Sequence, residues 1–376
     1  MKEIKIKTIF GAHQIYQELA NYPPEGIRYL GISKDTGEGK YYQNKRWKEK
    51  INSLAQKLKI PRMKFIAPGK FNLIHSSRGI IPIQLFTNKP WVMDIEYFAS
   101  FMGLNIDSIL NNRSIRKIIE NRLSSKNCKK ILCHCEATKE SMIKYFKSSK
   151  FEDKLDVLYP SSHLIKLEKR PSKKIIILCV LSLFKQKGGE FILESFKRLE
   201  KKYAGIELWI KSDVPKKIQK KYSSKNIKFI KYHGEIIPRE ELIKNLYSQA
   251  NIFVYPSFAD SFGYSLTDAM IAGLPIVATN LFAIPEMVVN EKNGFVVDIP
   301  GYNPKKFIQF YNVDNLDNKQ KNIFIKNLTK SLEKLIKNNA LRENLGKESL
   351  KMISTGKFSL GERNKKLRKI YEEALK

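Results

Sequence analysis

The chain has 376 residues, too many for one ordinary core and suited to two domains of conventional size. Its 42% hydrophobic and 11% aromatic content excludes a disordered polymer. Lys+Arg 69 against Asp+Glu 37 gives a net charge of +32, a field that attracts polyanions: an anionic membrane face, phosphorylated small molecules or nucleic acid. The excess is mostly lysine, scattered and without a recognition motif, so no nucleic-acid partner is expected. A binder driven by charge alone would lose affinity steeply with salt.

From the N-terminus, MKEIKIKTIF lacks the apolar core of a signal peptide. Strand candidates in the first half fall at residues 4–10, 27–32, 72–76, 91–95, 130–134 and 155–159. Between them, the segment 111–130 mixes Arg113, Arg116, Lys117 and Arg122 with Ile115, Ile118 and Ile119, either a surface helix with one core face or a membrane-facing one. Cys133-His134-Cys135, with Cys128 just upstream, lacks the paired spacing of a zinc site and reads as a buried strand with free thiols in a reducing compartment. No metal is expected. The seam between domains falls in residues 160–174, where two prolines and a charge run separate a strand end from a new buried strand.

In the second half the candidates are 174–183, 207–211, 227–231, 252–255, 275–278 and 295–297. The apolar run 175–184 is half the length needed to span a bilayer. Strands alternating with helices imply parallel sheets, and two such series imply two doubly wound α/β domains. Ligands of open parallel sheets sit beyond the carboxyl ends of the strands, so two such domains facing across a cleft would suit a reaction joining two substrates. The expected division is 1–168, 169–357 and a closing helix in 358–376 with Leu367, Ile370, Tyr371 and Ala374 on one side.

One stretch, SFADSFGYSLTDAMIAGLP at 257–275, sets Asp260 and Asp268 around Phe262-Gly263. It follows a strand and opens a helix that Gly273 and Pro275 stop. The helix N-terminus favours an anion such as phosphate, and Gly263 lets a ligand approach the backbone. Asp268, between Leu266 and Ala269-Met270, should be partly buried and needs a partner, for which a pair of ribose hydroxyls is chemically suitable. The plainer alternative makes Asp260 a cap and Asp268 an ordinary helix residue.

This stretch resembles the signature of the retaining glycosyltransferases of family 4. The likeness rests on Pro256-Ser257, Asp260, Phe262-Gly263, Asp268-Ala269-Met270, Ala272-Gly273 and Pro275, and continues through Pro285-Glu286 and Asn293-Gly294. Upstream, VLSLFKQKGGEFILESF carries a similar Lys187-Gly188 pair, and HCEATKESM resembles the first domain's Ser-Glu motif. The sequence departs from the family at Asp260 and Asp268, usually Glu; at Ser182, usually Arg; at Phe282-Ala283, usually Gly-Gly; and at Glu96, where a histidine is common.

The resemblance implies a GT-B fold of two Rossmann-like domains, the first holding a glycan or lipid-linked acceptor and the second a nucleotide-sugar donor, with the helix in 358–376 packing back across both. It implies metal-free, front-face transfer with retention, without a cofactor. Lys187, Asp260 and Glu96 are the expected catalytic residues. Asp268 would bind the ribose, and the backbone from Ser261 through Phe262 and Gly263 to Tyr264 would meet the diphosphate. Gly188, Ser182, Lys185, Lys211 and Glu286 complete the expected donor site. A cytoplasmic location is expected, peripheral on the membrane's cytoplasmic face. The alternatives are a catalytically degenerate GT-B protein that binds nucleotide sugar or glycan, and a GT-B-like epimerase or phosphorylase.

Overall fold

The computed structural model describes residues 3–10, 13–31, 60–103, 106–147, 149–168, 174–232 and 237–376. The chain divides into two compact units, Met1–His163 with Lys357–Lys376, and Leu164–Gly356.

The first unit is built on β1 (Ile4–Ile9), β2 (Ile27–Leu30), β4 (Leu73–Ser76), β6 (Trp91–Ile95), β7 (Cys128–Cys133) and β8 (Leu155–Val157). They form one parallel sheet in the order β2-β1-β4-β6-β7-β8. All five residues of β6 are buried, as expected of a parallel strand covered on both faces. Between β2 and β6 the chain adds a parallel ribbon of β3 (Met63–Phe65) and β5 (Ile81–Ile83), which no strand expectation anticipated. Three residues each are too few for a period-2 signal.

The helices of this unit are α1 (Gln14–Asn21), α2 (Ile106–Leu110), α3 (Arg113–Leu123) and α4 (Glu136–Phe146). In α3, Ile115, Ile119 and Leu123 are buried, so its apolar stripe belongs to the core, and Ile118 alone of its three isoleucines is exposed. The four cysteines are free and buried, and Cys135 caps α4 by accepting from Thr138 N at 3.4 Å.

The second unit repeats the theme with β9 (Ile175–Val180), β10 (Ile206–Lys211), β11 (Ile227–Ile230), β12 (Ile252–Tyr255), β13 (Ile276–Thr279) and β14 (Gly294–Val297). Their parallel order is β11-β10-β9-β12-β13-β14, so the strand order reverses between β9 and β12. Right-handed crossovers then place helices on both faces. The helices include α5 (Gly189–Glu200), α6 (Lys216–Lys221), α7 (Arg239–Asn245), α8 (Tyr264–Ile271), α9 (Ile284–Met287), α10 (Asn318–Lys337) and α11 (Asn339–Ser354). The closing helix α12 (Leu360–Ala374) returns to the first unit. Leu367, Ile370, Tyr371 and Ala374 are buried there, and Arg363 donates to Tyr22 O at 2.6 Å.

Candidate functional site

In a doubly wound sheet, ligands bind beyond the strand ends where the order reverses. In the second unit that point is bounded by the loops after β9 and β12, the two loops that the sequence pattern singles out. Gly188 caps α5 at φ 74°, and a Cβ there would stand 2.1 Å from Pro256 O. Any larger residue would push the two loops apart. A backbone bond from Phe258 N to Gln186 O (3.0 Å) fastens them, and Thr279 Oγ1 donates to Ser257 O (2.6 Å) from the end of β13. Gly263 caps α8 at φ 93°, where a Cβ would meet Leu266 Cδ1 at 2.9 Å. Neither helix has a side-chain cap at its N-terminus. Two helix N-termini with their partial positive charge therefore open at one switch point.

Lys187 and Asp260 meet there. The Lys187 ammonium donates to Asp260 Oδ2 at 2.5 Å and to Tyr255 OH at 2.6 Å, and the Tyr255 hydroxyl in turn donates to Asp260 Oδ2. Asp260 Oδ1 accepts from Phe262 N at 3.2 Å. Burial works against the Asp260 charge, but Lys187, Tyr255 and the Phe262 amide together hold its pKa below the ordinary value. Burial, reinforced by Asp260, pushes the Tyr255 phenol well up, so this hydroxyl stays a donor.

Asp268 is buried, 6% exposed, and its partner is Arg239 at the start of α7, with Nε at 2.8 Å and Nη2 at 2.6 Å from Oδ1. Sequence reasoning asked for a partner but missed this one, which lies 29 positions away across a different helix.

Ser182 lies half-buried in the loop after β9, and Ser261 and Tyr264 are half-buried around the turn, with Phe262 buried between them. Two lysines expected in the donor site are not joined to the Lys187–Asp260 cluster. Lys185 forms an exposed ion pair with Asp314 at 2.8 Å. Lys211 is buried and donates to Lys231 O at 2.8 Å, its ammonium 5.6 Å from the Tyr232 ring centroid. Burial lowers its pKa, with Asp213 opposing. Glu286 is half-buried in α9. Phe282, with Ala283 the departure from the usual Gly-Gly, keeps a left-handed backbone, φ 44°, its N–H donating to Tyr302 OH at 3.1 Å. Gly294 has a packing reason: a Cβ would lie 1.9 Å from Ile276 O.

The first unit places Glu96 among a polar cluster the sequence did not announce. Glu96 accepts from Arg78 Nε at 2.9 Å and Nη2 at 2.6 Å. Beside it, Asp94 is 3% exposed at the end of β6. It accepts from Tyr16 OH at 2.7 Å and Arg78 N at 3.1 Å, while His134 Nε2 lies 3.2 Å from Oδ1 and His75 Nε2 3.4 Å from Oδ2. Burial alone would raise the Asp94 pKa, but the two histidines hold it well below the carboxylate range. His75 Nδ1 lies 2.6 Å from Tyr371 OH of α12. His13 caps α1 by accepting from Ile15 N, and burial, then Arg78, lowers its pKa to about 4. These groups sit at the ends of β1, β4, β6 and β7. Among the described residues no group of three or more His, Cys, Asp or Glu is arranged to hold a metal ion.

The two parallel α/β units define a protein of the GT-B fold class. Over its whole length the chain superposes on a Rickettsia africae glycosyltransferase with TM-score 0.63 and 16% identity, covering 100% of both chains. Sucrose-phosphate synthase from Thermosynechococcus elongatus gives TM-score 0.65 at 14% identity, covering 99% of each. The Anabaena protein HepE, solved with UDP and glucose, gives 0.60 at 11% identity, covering 98% of this chain and 99% of that one.

Residues 163–311 match the family model "Glycosyl transferases group 1", so the second unit carries a glycosyltransferase group 1 domain. An uncharacterized glycosyltransferase of Haemophilus influenzae is 28% identical over 211 residues, 53% of this chain and 58% of the relative. The O-antigen chain mannosyltransferase B of Escherichia coli is 43% identical over 60 residues, 16% of this chain and 15% of that one. The chain thus spans little more than half of the first relative's length and far less of the second's.

Proposed function

We propose that this protein is a retaining glycosyltransferase that moves a sugar from a nucleotide-sugar donor to a hydroxyl of a glycan or lipid-linked acceptor, without a metal. The observation that carries this is the Lys187–Asp260–Tyr255 cluster between two glycine-capped helix N-termini at the switch point of a glycosyltransferase group 1 domain. The positive helix ends and the Lys187 ammonium would neutralise the departing diphosphate, where charge develops as the glycosidic bond breaks. Backbone amides from Ser261 to Tyr264 would hold the phosphates closely because Gly263 carries no Cβ. The Arg239 countercharge lets Asp268 remain buried, and its carboxylate would accept from ribose hydroxyls. Asp260 would stand nearer the sugar while fixing Lys187.

Retention fits a front-face displacement in which the leaving diphosphate oxygen takes the acceptor's proton, so binding and orientation do most of the work. The acceptor would be held by the first unit, where Glu96, Arg78, His13 and His134 gather at the strand ends. HepE was solved with UDP, which makes UDP-sugars the first donors to try. Among the described residues no helix is long and apolar enough to cross a membrane. The excess of lysine and the buried free thiols support a cytoplasmic protein that meets an anionic membrane face.

Incubation with UDP-, GDP-, ADP- and CMP-sugars, with and without a chelator, followed by NMR of the released or transferred sugar, tests this. Turnover of one donor with the anomeric configuration kept and no loss on chelation is expected. Inverted product, chelator-sensitive turnover, or no turnover of any donor would each overturn the corresponding part.

A further inference from the structure

We propose that the Leu85-Phe86 turn and the adjacent Phe65 are the surface by which the first unit docks on an anionic lipid bilayer. This rests on the membrane reading above and names the place where that reading acts. In the β3–β5 ribbon Phe65 pairs in register with Ile83, and Leu85 follows two positions later. Phe65 is 67% exposed, Leu85 66% and Phe86 82%, although Ile81 in the same ribbon is fully buried. Single exposed apolar residues are ordinary, but three large ones on a small ribbon and the turn that follows it call for a partner.

The turn is held out rather than left loose. Gln84 Nε2 donates to Lys89 O at 2.9 Å, and Gln84 Oε1 accepts from Lys89 N at 3.0 Å and Thr87 Oγ1 at 2.8 Å. Asn127 donates to Asn88, tying the turn to the segment before β7. The apolar pair thus stands at the tip of a braced turn, a convex shape that enters a fluid lipid surface without a matching pocket.

Charge selects the partner. From Ile60 to Met93 the sequence contains Arg62, Lys64, Lys70, Arg78 and Lys89 and no acidic residue. Arg78 is taken by Glu96, while Lys64, Lys70 and the nearby Lys126 are exposed. Exposed apolar tips in a stretch with exposed lysines and no acidic residue match the headgroup and acyl boundary of an anionic leaflet. A second copy of a chain with charge +32 would be repelled by the same lysines.

Flotation with vesicles of phosphatidylcholine alone, or mixed with phosphatidylglycerol, tests the assignment on the full chain. The wild-type protein should float with the anionic vesicles at low salt and much less with neutral ones. The double variant Leu85→Ser/Phe86→Ser should keep its melting temperature and lose binding about tenfold, since transfer of two large apolar side chains is removed. Lys64→Glu/Lys70→Glu should weaken binding to anionic vesicles only. Wild-type protein that ignores anionic vesicles would overturn the membrane reading together with this surface. Wild-type binding that the serine variant retains in full would overturn the surface alone.

Discussion

The two units bring functional groups to the ends of parallel strands by different means. In the second, the backbone does the work: Gly188 lies under Pro256 O, Gly263 turns into α8, and one lysine and one aspartate meet above them. In the first, side chains from the ends of β4 and β7 and from helices α1 and α12 converge on Asp94, through His75, His134, Tyr16 and Tyr371. A site made by close backbone approach needs glycine and proline at fixed spacing and so writes itself into the sequence. A site made by long-range side-chain convergence needs only ordinary polar residues, each unremarkable where it stands. The first unit is accordingly a network held by buried charge, and the second a cradle held by loop geometry.

The largest effect should come from the network. Asp94→Ala leaves two histidines and a tyrosine around a lost carboxylate, and should cost about 3–5 kcal/mol of stability. Urea denaturation measures it, and a change below about 1 kcal/mol would deny the network its structural role. Next comes the cradle. Gly188→Ala combines a left-handed φ with a Cβ placed against a carbonyl oxygen, for a loss of about 3 kcal/mol. Its denaturation midpoint should fall, and an unchanged midpoint would mean that the two loops separate freely.

Lys187→Ala tests the chemistry, and because it also strips buried Asp260 of its countercharge its stability is read separately. Transfer should slow by about 10²-fold or more because the departing diphosphate loses its cation. Kinetics beside a thermal melt would check it, and near-normal turnover would remove Lys187 from the site. The smallest effect concerns pH. His13 has its pKa lowered from 6.5 to about 4, so the unfolded chain takes up this proton first as pH falls. Its stability contribution is complete above pH 6.5 and declines as pH drops towards 4, by about 1–2 kcal/mol for a part-exposed ring. In His13→Gln that slope should flatten, while the loss from Asp94, whose pKa is also lowered, begins only below pH 4 in both proteins.

The same contrast explains what was legible. All twelve expected strands of the two main sheets occur, because alternation of buried strands and helices is a strong local pattern. Lys187 and Asp260 come together beside the Phe262-Gly263 turn, as the resemblance implied. Lys185 and Lys211 do not: each had a nearer partner, Asp314 or the Lys231 carbonyl, that no local pattern reveals. Arg239 and Tyr255 were missed for opposite reasons. Arg239 reaches Asp268 from another helix, while Tyr255 closes a buried strand and reads there as core. Phe282 shows a backbone shape surviving the loss of the residue type that usually marks it.

As proposed above, the second unit's switch point would hold a nucleoside diphosphate, with Asp268 on the ribose and Asp260 nearer the sugar. Calorimetric titration of UDP, followed by GDP, ADP and CMP, into the wild-type, Asp268→Ala and Asp260→Asn proteins tests it most directly. One nucleotide should bind the wild-type protein. Asp268→Ala should weaken that binding by about 1.5–3 kcal/mol, and Asp260→Asn should leave it nearly intact while slowing transfer. If both variants bind the nucleotide and turn over as the wild-type protein does, the two carboxylates serve only the fold, and the account of this site is wrong.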